Sequence, residues 1–159
     1  MINGIVAVER SHGIGRNGTI PWPRLSNDMK WFRDLTTNHI VVMGSTTWNS
    51  IKKPLPNRIN IVMSSKSHVG ADYSCINIDE ALELCNVLFP EKEIFIIGGQ
   101  ALYNSVMSDI NKFYITEIDE NYECDKFFDV KYVQTRYSQV VEHAKYTDPI
   151  PYTIKEYKK

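Results

Sequence analysis

One acid in this chain occupies a place where acids are costly. Asp28, Trp31, Phe32 and Leu35 fall at i, i+3, i+4 and i+7, so on a helix a carboxylate shares one stripe with two aromatic rings and a leucine. A carboxylate on an apolar face is unfavourable unless a ligand or a partner uses it. Two structural readings compete at this level: a first-turn acid that complements the helix dipole, or a capping role exchanged with Asn27. Immediately before it runs Gly13-Ile-Gly-Arg-Asn-Gly-Thr-Ile-Pro-Trp-Pro23, three glycines and two prolines in a loop too long for an idle turn. That segment reads as a lid.

Three further groups suit phosphate chemistry. Gly98-Gly99-Gln100 bridges a strand end and a helix start, where a bare backbone approaches a ligand closely and free N–H groups face an anion. Met43-Gly44-Ser45-Thr46-Thr47 repeats the arrangement with hydroxyls. Ser64-Ser65-Lys66 adds two hydroxyls and an ammonium. Each alone is also compatible with a tight turn or a polar loop; two such junctions together point to a dinucleotide. Neither has the GxGxxG spacing, and no GxxxxGK[ST] loop is present.

The elements that must position these groups follow from the apolar pattern. Ile5–Val8, Ile40–Met43, Ile59–Met63 and Ile94–Ile97 are short β-branched runs, as expected of strands covered on both faces. Helical stretches are predicted over 27–36, 45–51, 79–88 and 100–107, with Asn27, Ser45 and Asp79 as N-caps and Pro90 beyond the third. This alternation implies a largely parallel sheet with right-handed crossovers. Lys112–Ile118, Tyr132–Tyr146 and Tyr152–Tyr157 read as longer strands that close the sheet antiparallel.

The chain has 159 residues, 43% hydrophobic and 23% charged, and 18 basic against 19 acidic side chains. Such a balance excludes disorder and a nucleic-acid binder that relies on bulk positive charge. No apolar run approaches the ~20 residues of a bilayer span. The expectation is one cytoplasmic domain over 1–159, monomeric for want of an exposed apolar stripe. Cys75, Cys85 and Cys124 are scattered without metal-ligand spacing and read as free thiols; no metal is expected.

Seven blocks, Ile14-Gly15, Ile20-Pro21-Trp22, Asp28–Phe32, Val42–Gly44 with Thr47-Trp48, Pro54–Arg58, Ile97–Gly99 with Tyr103, and Tyr114–Thr116 through Asp119, resemble the dihydrofolate reductases in order and spacing. The resemblance covers residues 5 to about 128 and extends to the overall length of the bacterial and phage-sized members. It implies an α/β fold with a central, mostly parallel eight-stranded sheet, an antiparallel C-terminal edge and about four flanking helices. It also implies NADPH as cofactor and reduction of dihydrofolate to tetrahydrofolate, which supplies one-carbon metabolism and thymidylate synthesis.

By this resemblance Asp28 holds the pterin edge and favours protonation at N5, Thr116 hydrogen-bonds Asp28, and Trp22 orders a water beside it. Ile5, Met29, Phe32, Ile51 and Leu55 are implied as substrate walls, and Arg58 as the clamp for the substrate's α-carboxylate. Around the nicotinamide and pyrophosphate the resemblance puts Ala7, Ile14, Ile20, Gly44, Thr47, Gly98, Gly99 and Tyr103, with the hydroxyl of Thr46 and the amide of Gln100 in the same two junctions. Ile97 and Tyr103 border the transferred hydride, and Ser64, Ser65 and Lys66 lie where members bind the adenosine ribose and its 2′-phosphate. A cis bond between Gly98 and Gly99 is expected as well.

Many members carry a basic residue where this chain has Ser45, and some carry another where it has Gln100 or Ala101, which leaves fewer contacts to the 2′-phosphate here. Ile20 replaces the Met or Leu of other lids. His12, His39, His68 and His143 match no catalytic position. Two alternatives remain at this stage: a related pyrimidine reductase of riboflavin synthesis, and a nucleotide-binding scaffold without catalysis.

Overall fold

In a computed structural model covering residues 1–159, the four residues Ile40–Met43 are wholly inaccessible to solvent. A run buried on both faces carries no alternation, which is why this strand reads as continuously apolar. The elements are β1 (Ile2–Val8), β2 (Gly13–Gly15), α1 (Ser26–Thr36), β3 (Ile40–Gly44), α2 (Ser45–Ile51), β4 (Ile59–Met63), β5 (Tyr73–Cys75) and α3 (Ile78–Leu88). They continue as β6 (Ile94–Ile96), α4 (Gln100–Val106), a 3-10 turn at Met107–Asp109, β7 (Lys112–Ile118), β8 (Lys126–Phe127), α5 (Val130–Arg136), β9 (Gln139–Tyr146) and β10 (Tyr152–Lys158).

The main sheet has eight strands in the order β5-β4-β3-β6-β1-β7-β10-β9. Every pairing from β5 to β7 is parallel, and β10 pairs antiparallel with both β7 and β9. The expected architecture is therefore the observed one, with five helices rather than about four. Separately, β2 and β8 form a small antiparallel ribbon that carries the root of the lid.

Alternate residues of one strand feed opposite layers. Ile40 and Val42 join the large core with Ala81, Leu102 and Val133 of α3, α4 and α5, whereas Val41 and Met43 join a second core with Trp48 of α2 and with Trp31, Phe32 and Leu35 of α1. A third cluster, around Trp22, Leu25, Ile118, Tyr152 and Ile154, seals the end where the lid meets α1.

Two expectations need correction. The stretch Tyr132–Tyr146 is not one strand: Val130–Arg136 is helix α5, and the strand begins only at Gln139. Val130, Val133 and Tyr137 are buried at i, i+3 and i+7, and the Asp129 side chain accepts from the Tyr132 amide at 3.0 Å; helical spacing and a cap override the β-rich composition. The N-caps also shift outward, to Leu25, Gly44 and Asn77, leaving Asn27, Ser45 and Asp79 inside the first turns. Of these three, Asn77 alone caps with its side chain, accepting from the Glu80 amide at 2.9 Å.

Gly4 sits where β1 crosses the large core. A Cβ there would stand 2.5 Å from two ring atoms of Phe113, which is itself wedged edge-on between Phe128 and Tyr137. Gly4→Ala should therefore cost about 1–3 kcal/mol of stability by overpacking, read as a lowered denaturation midpoint with an unchanged slope.

Candidate active site

The carboxyl ends of five neighbouring strands open into one cleft of about 1120 Å³. Its lining runs from Thr116 on β7, across Ala7 on β1, Ile97 after β6 and Gly44 at the end of β3, to Met63 at the end of β4. At ~4.8 Å between strands that is roughly 19 Å of floor, the reach of an extended dinucleotide beside a second small molecule.

At the β7 end the Asp28 carboxylate receives a hydrogen bond from the Thr116 hydroxyl at 2.5 Å. Helix α1 delivers the acid from its first turn, and Thr116 faces it from a strand position that is itself buried. Burial raises the pKa of Asp28, and the Thr116 hydrogen bond partly opposes that rise. Ile5, Met29, Phe32 and Leu55 line the same end. Trp22 is buried beside it, its ring edge-on to Tyr122.

Arg58 is held before any ligand arrives. Its Nε donates to the Pro56 carbonyl at 2.9 Å and one Nη to the Thr36 hydroxyl at 3.1 Å, while its guanidinium lies 5.9 Å from the Phe32 ring centre. The remaining donors of the fork are left for a carboxylate. Burial, and secondarily the charge of Arg33, lower its pKa, which leaves it a cation at any physiological pH.

At the centre, Gly98 and Gly99 form a bare ribbon joined by a cis peptide bond. Gly98 has φ +119° and its carbonyl accepts from the Gly44 amide at 2.8 Å, which ties the two strand ends together. A Cβ on Gly98 would stand 3.3 Å from the Thr47 hydroxyl and 3.4 Å from the Tyr103 ring, so the backbone is exposed to a ligand only because side chains are missing. Tyr103 is fully buried and donates its hydroxyl to the Ile5 carbonyl at 2.6 Å, locking α4 to β1; burial without a cation drives its pKa far up. Thr46, Thr47 and Gln100 also line the cleft, and the Gln100 side chain accepts from the Phe127 amide at 2.7 Å. Over this centre lie Ile14 and Ile20 of the lid, Ile20 being largely exposed.

Four of the expected residues do not line the cleft. Ile51 packs instead against the core around Trp48, and Ser64, Ser65 and Lys66 continue past the wall that ends at Met63. The adjoining wall is built by Ile76, Asn77 and Ile78 at the start of α3. Sequence reasoning also passed over Arg24, Lys30, Arg33 and Lys126, all of which line the cleft. The helical spacing of Lys30 and Arg33 beside Met29 and Phe32 could have disclosed two of them; Lys126 arrives only through the non-local pairing of β8 with β2. With Arg58 they make five cations against one lining acid, Asp28; Asp34, just outside the lining, pairs with Lys30 at 2.9 Å and Arg33 at 3.8 Å, which leaves Arg24, Arg58 and Lys126 as the cations without a carboxylate partner, a lining suited to anionic ligands.

A strand-end cleft with a bare glycine ribbon, several cations and one half-buried acid has the place and the chemistry of a small-molecule site for anionic ligands. A family model described as dihydrofolate reductase matches residues 1–159. The chain is 36% identical to the dihydrofolate reductase of Gallus gallus, across 99% of this chain and 96% of that one. It is 37% identical to the viral dihydrofolate reductase of Saimiriine herpesvirus 2 (strain 488), over 80% of this chain and 68% of the other. The dihydrofolate reductase of Bacillus subtilis (strain 168) is 33% identical over 80% of this chain and 75% of its own. The chain belongs to the dihydrofolate reductase family.

Proposed function

We propose that this enzyme reduces 7,8-dihydrofolate to 5,6,7,8-tetrahydrofolate with NADPH as the donor, and that Asp28 is its catalytic acid group. The carrying observation is the Asp28–Thr116 pair in an otherwise apolar end of the cleft. In this reading the carboxylate accepts from the 2-amino and N3 edge of the pterin, while Thr116 fixes its orientation. A half-buried anion with no cation beside it favours a proton on the bound ring, which places the charge where N5 is protonated. Ile5, Met29, Phe32 and Leu55 exclude water from the ring, and Arg58 takes the α-carboxylate of the tail.

When bound, the nicotinamide cofactor supplies the hydride that reaches C6. The bare Gly98-Gly99 ribbon, the hydroxyls of Thr46 and Thr47 and the apolar Ala7, Ile14, Ile20 and Ile97 would hold it, with Tyr103 rigid behind the reacting face. Trp22 is assigned to ordering a water near Asp28. The working unit is one chain, a single domain, with no nucleic-acid or membrane partner; no helix is long and apolar enough to cross a membrane. Oxidation of NADPH that requires dihydrofolate, followed spectrophotometrically, tests the reaction. Turnover of a ribosylamino-pyrimidine instead, or of neither substrate, would overturn it.

The choice of NADPH over NADH rests on the loop after β4. Ser65 and Lys66 are exposed just past Met63, and Lys66 is the cation of that loop. An exposed ammonium on a flexible stem gives a moderate contact to the 2′-phosphate, on the order of tenfold in kcat/KM. The preference should shrink in Lys66→Ala and also as salt rises, since such contacts are screened over ~10 Å at 0.1 M ionic strength. An equal kcat/KM for both cofactors, or a preference indifferent to Lys66, would remove this assignment and leave that of Asp28 intact.

A further inference from the structure

One buried carboxylate has no part in the site just described. Glu9, directly after β1, is 1% exposed, and its partners are backbone amides rather than a cation. Oε1 accepts from the Ser11 amide at 2.7 Å and from the Gly13 amide at 2.8 Å; Oε2 accepts from the Tyr122 amide at 2.9 Å. Two of these amides belong to the root of the lid and the third to the loop that follows β7. A buried carboxylate is tolerated when its lone pairs are met by well-placed donors, and charge-assisted bonds of this kind are about twice as strong as neutral ones.

The surroundings show how closely the two segments are joined at this point. A Cβ on Gly13 would collide with the Cys124 side chain, standing 2.6 Å from its Sγ and 3.0 Å from Glu9 Oε1. The Arg10 amide donates to the Glu120 carbonyl at 2.8 Å, and the Phe128 amide to the His12 carbonyl at 2.9 Å. From this root the chain runs on through Ile14, Gly15, Gly18, Thr19 and Ile20, all of which line the cleft. Beyond Asn17, whose amide bonds Asp125, the tip is held mainly by its own Arg16–Thr19 pairing. Between root and tip the Asp125 amide donates to the Gly15 carbonyl at 3.0 Å and Arg16 Nη1 donates to the Tyr122 carbonyl at 3.2 Å, so the Glu9 knot is the innermost of the ties that set the tip over the cleft.

We propose that Glu9 is a positioning residue for the reaction: its carboxylate knots the lid root to the loop after β7 and thereby fixes how Ile14 and Ile20 lie over the reacting centre. This rests on the reading that hydride transfer takes place in the cleft, and it concerns a residue that never touches a ligand. Glu9→Gln keeps the shape but replaces one acceptor oxygen by an NH2 that faces amide donors. Gly13→Ala strains the same knot through Cys124 and leaves the carboxylate in place, so it carries the test if the glutamine variant fails to fold.

The test uses the full chain and two readouts. In either variant, amide exchange at residues 11, 13 and 122 should quicken about tenfold, the change expected for one lost charge-assisted bond, while amides of β3 and β4 keep their rates. The single-turnover hydride rate should fall about tenfold through misplacement of the lid, with the Kd of dihydrofolate, measured by tryptophan fluorescence, within about twofold of wild type. Unchanged exchange would overturn the knot. Faster exchange with a wild-type hydride rate, or a Kd weakened as much as the rate, would overturn the positioning role. If Asp28→Asn left the hydride rate untouched, the assignment of the cleft would fail, and the exchange result at Glu9 would stand apart from it.

Discussion

Asp28→Asn should give a folded protein whose turnover at neutral pH is lower by about a hundredfold or more, the usual loss when a positioned catalytic charge is removed. Asparagine keeps the Oδ1 that accepts from Thr116, so side-chain shape and that hydrogen bond survive and only the charge is lost. The stability effect has the opposite sign. Burial raises the Asp28 pKa in the folded state above its ordinary value of 3.8, so the folded protein binds this proton more tightly than the unfolded chain does. The favourable contribution of the protonated acid is complete below that ordinary value and is lost as pH rises through the raised one. At neutral pH the charged side chain is therefore a burden on the free enzyme, and Asp28→Asn should melt no lower than wild type, with any gain disappearing as pH falls toward 3.8. The wild-type hydride rate should also carry a pH inflection that the variant lacks. Near-wild-type turnover with a normal melting temperature would contradict the catalytic assignment; lost turnover with a collapsed melting temperature would make Asp28 structural.

Arg58→Leu should act on the other kinetic parameter. In the proposed role Arg58 clamps a tail remote from C6, with the same contacts in the ground and transition states, so KM for dihydrofolate should rise while kcat stays near wild type. Losing a charge-assisted pair costs roughly 1.5–3 kcal/mol, about tenfold to a hundredfold in KM. The upper part of that range applies because Pro56 and Thr36 already hold the guanidinium, so little side-chain freedom is lost on binding. A pterin without the glutamate tail should be indifferent to the substitution. Equal losses on both substrates would instead identify the bond to Thr36 as a brace for the end of α1.

What was legible in the sequence follows from how local each signal is. Asp28 stood out because helical period and side-chain chemistry disagreed within eight residues, and Ile40–Met43 because a strand covered on both faces has no polar positions to interrupt it. Helix α5 was hidden because its apolar residues are Val and Tyr, whose preference for strands masked a spacing of three and four. Lys126 and Glu9 had no local signal at all. Lys126 reaches the cleft through pairing with Gly15, and Glu9 becomes a knot only when Tyr122 arrives. The lid was recognisable from its glycines and prolines, whereas what holds its root depends on contacts across more than a hundred residues.

The place of β1 in the sheet order bears on how the chain becomes a protein. Its seven residues are made long before either of its neighbours, β6 and β7: Gly4 pairs with Ile96 on one side and Phe113 on the other. At about 5–20 residues per second, the ribosome needs roughly 5–20 s between finishing β1 and delivering β7. Until β6 emerges this apolar strand has both edges unsatisfied, and until β7 emerges it still has one; closing the sheet around it requires long-range contacts with a high loop-closure cost. The segments β3, β4 and β5 have parallel partners close in sequence and can assemble meanwhile, so the sheet is held open at β1 until the seventh strand of the sequence emerges.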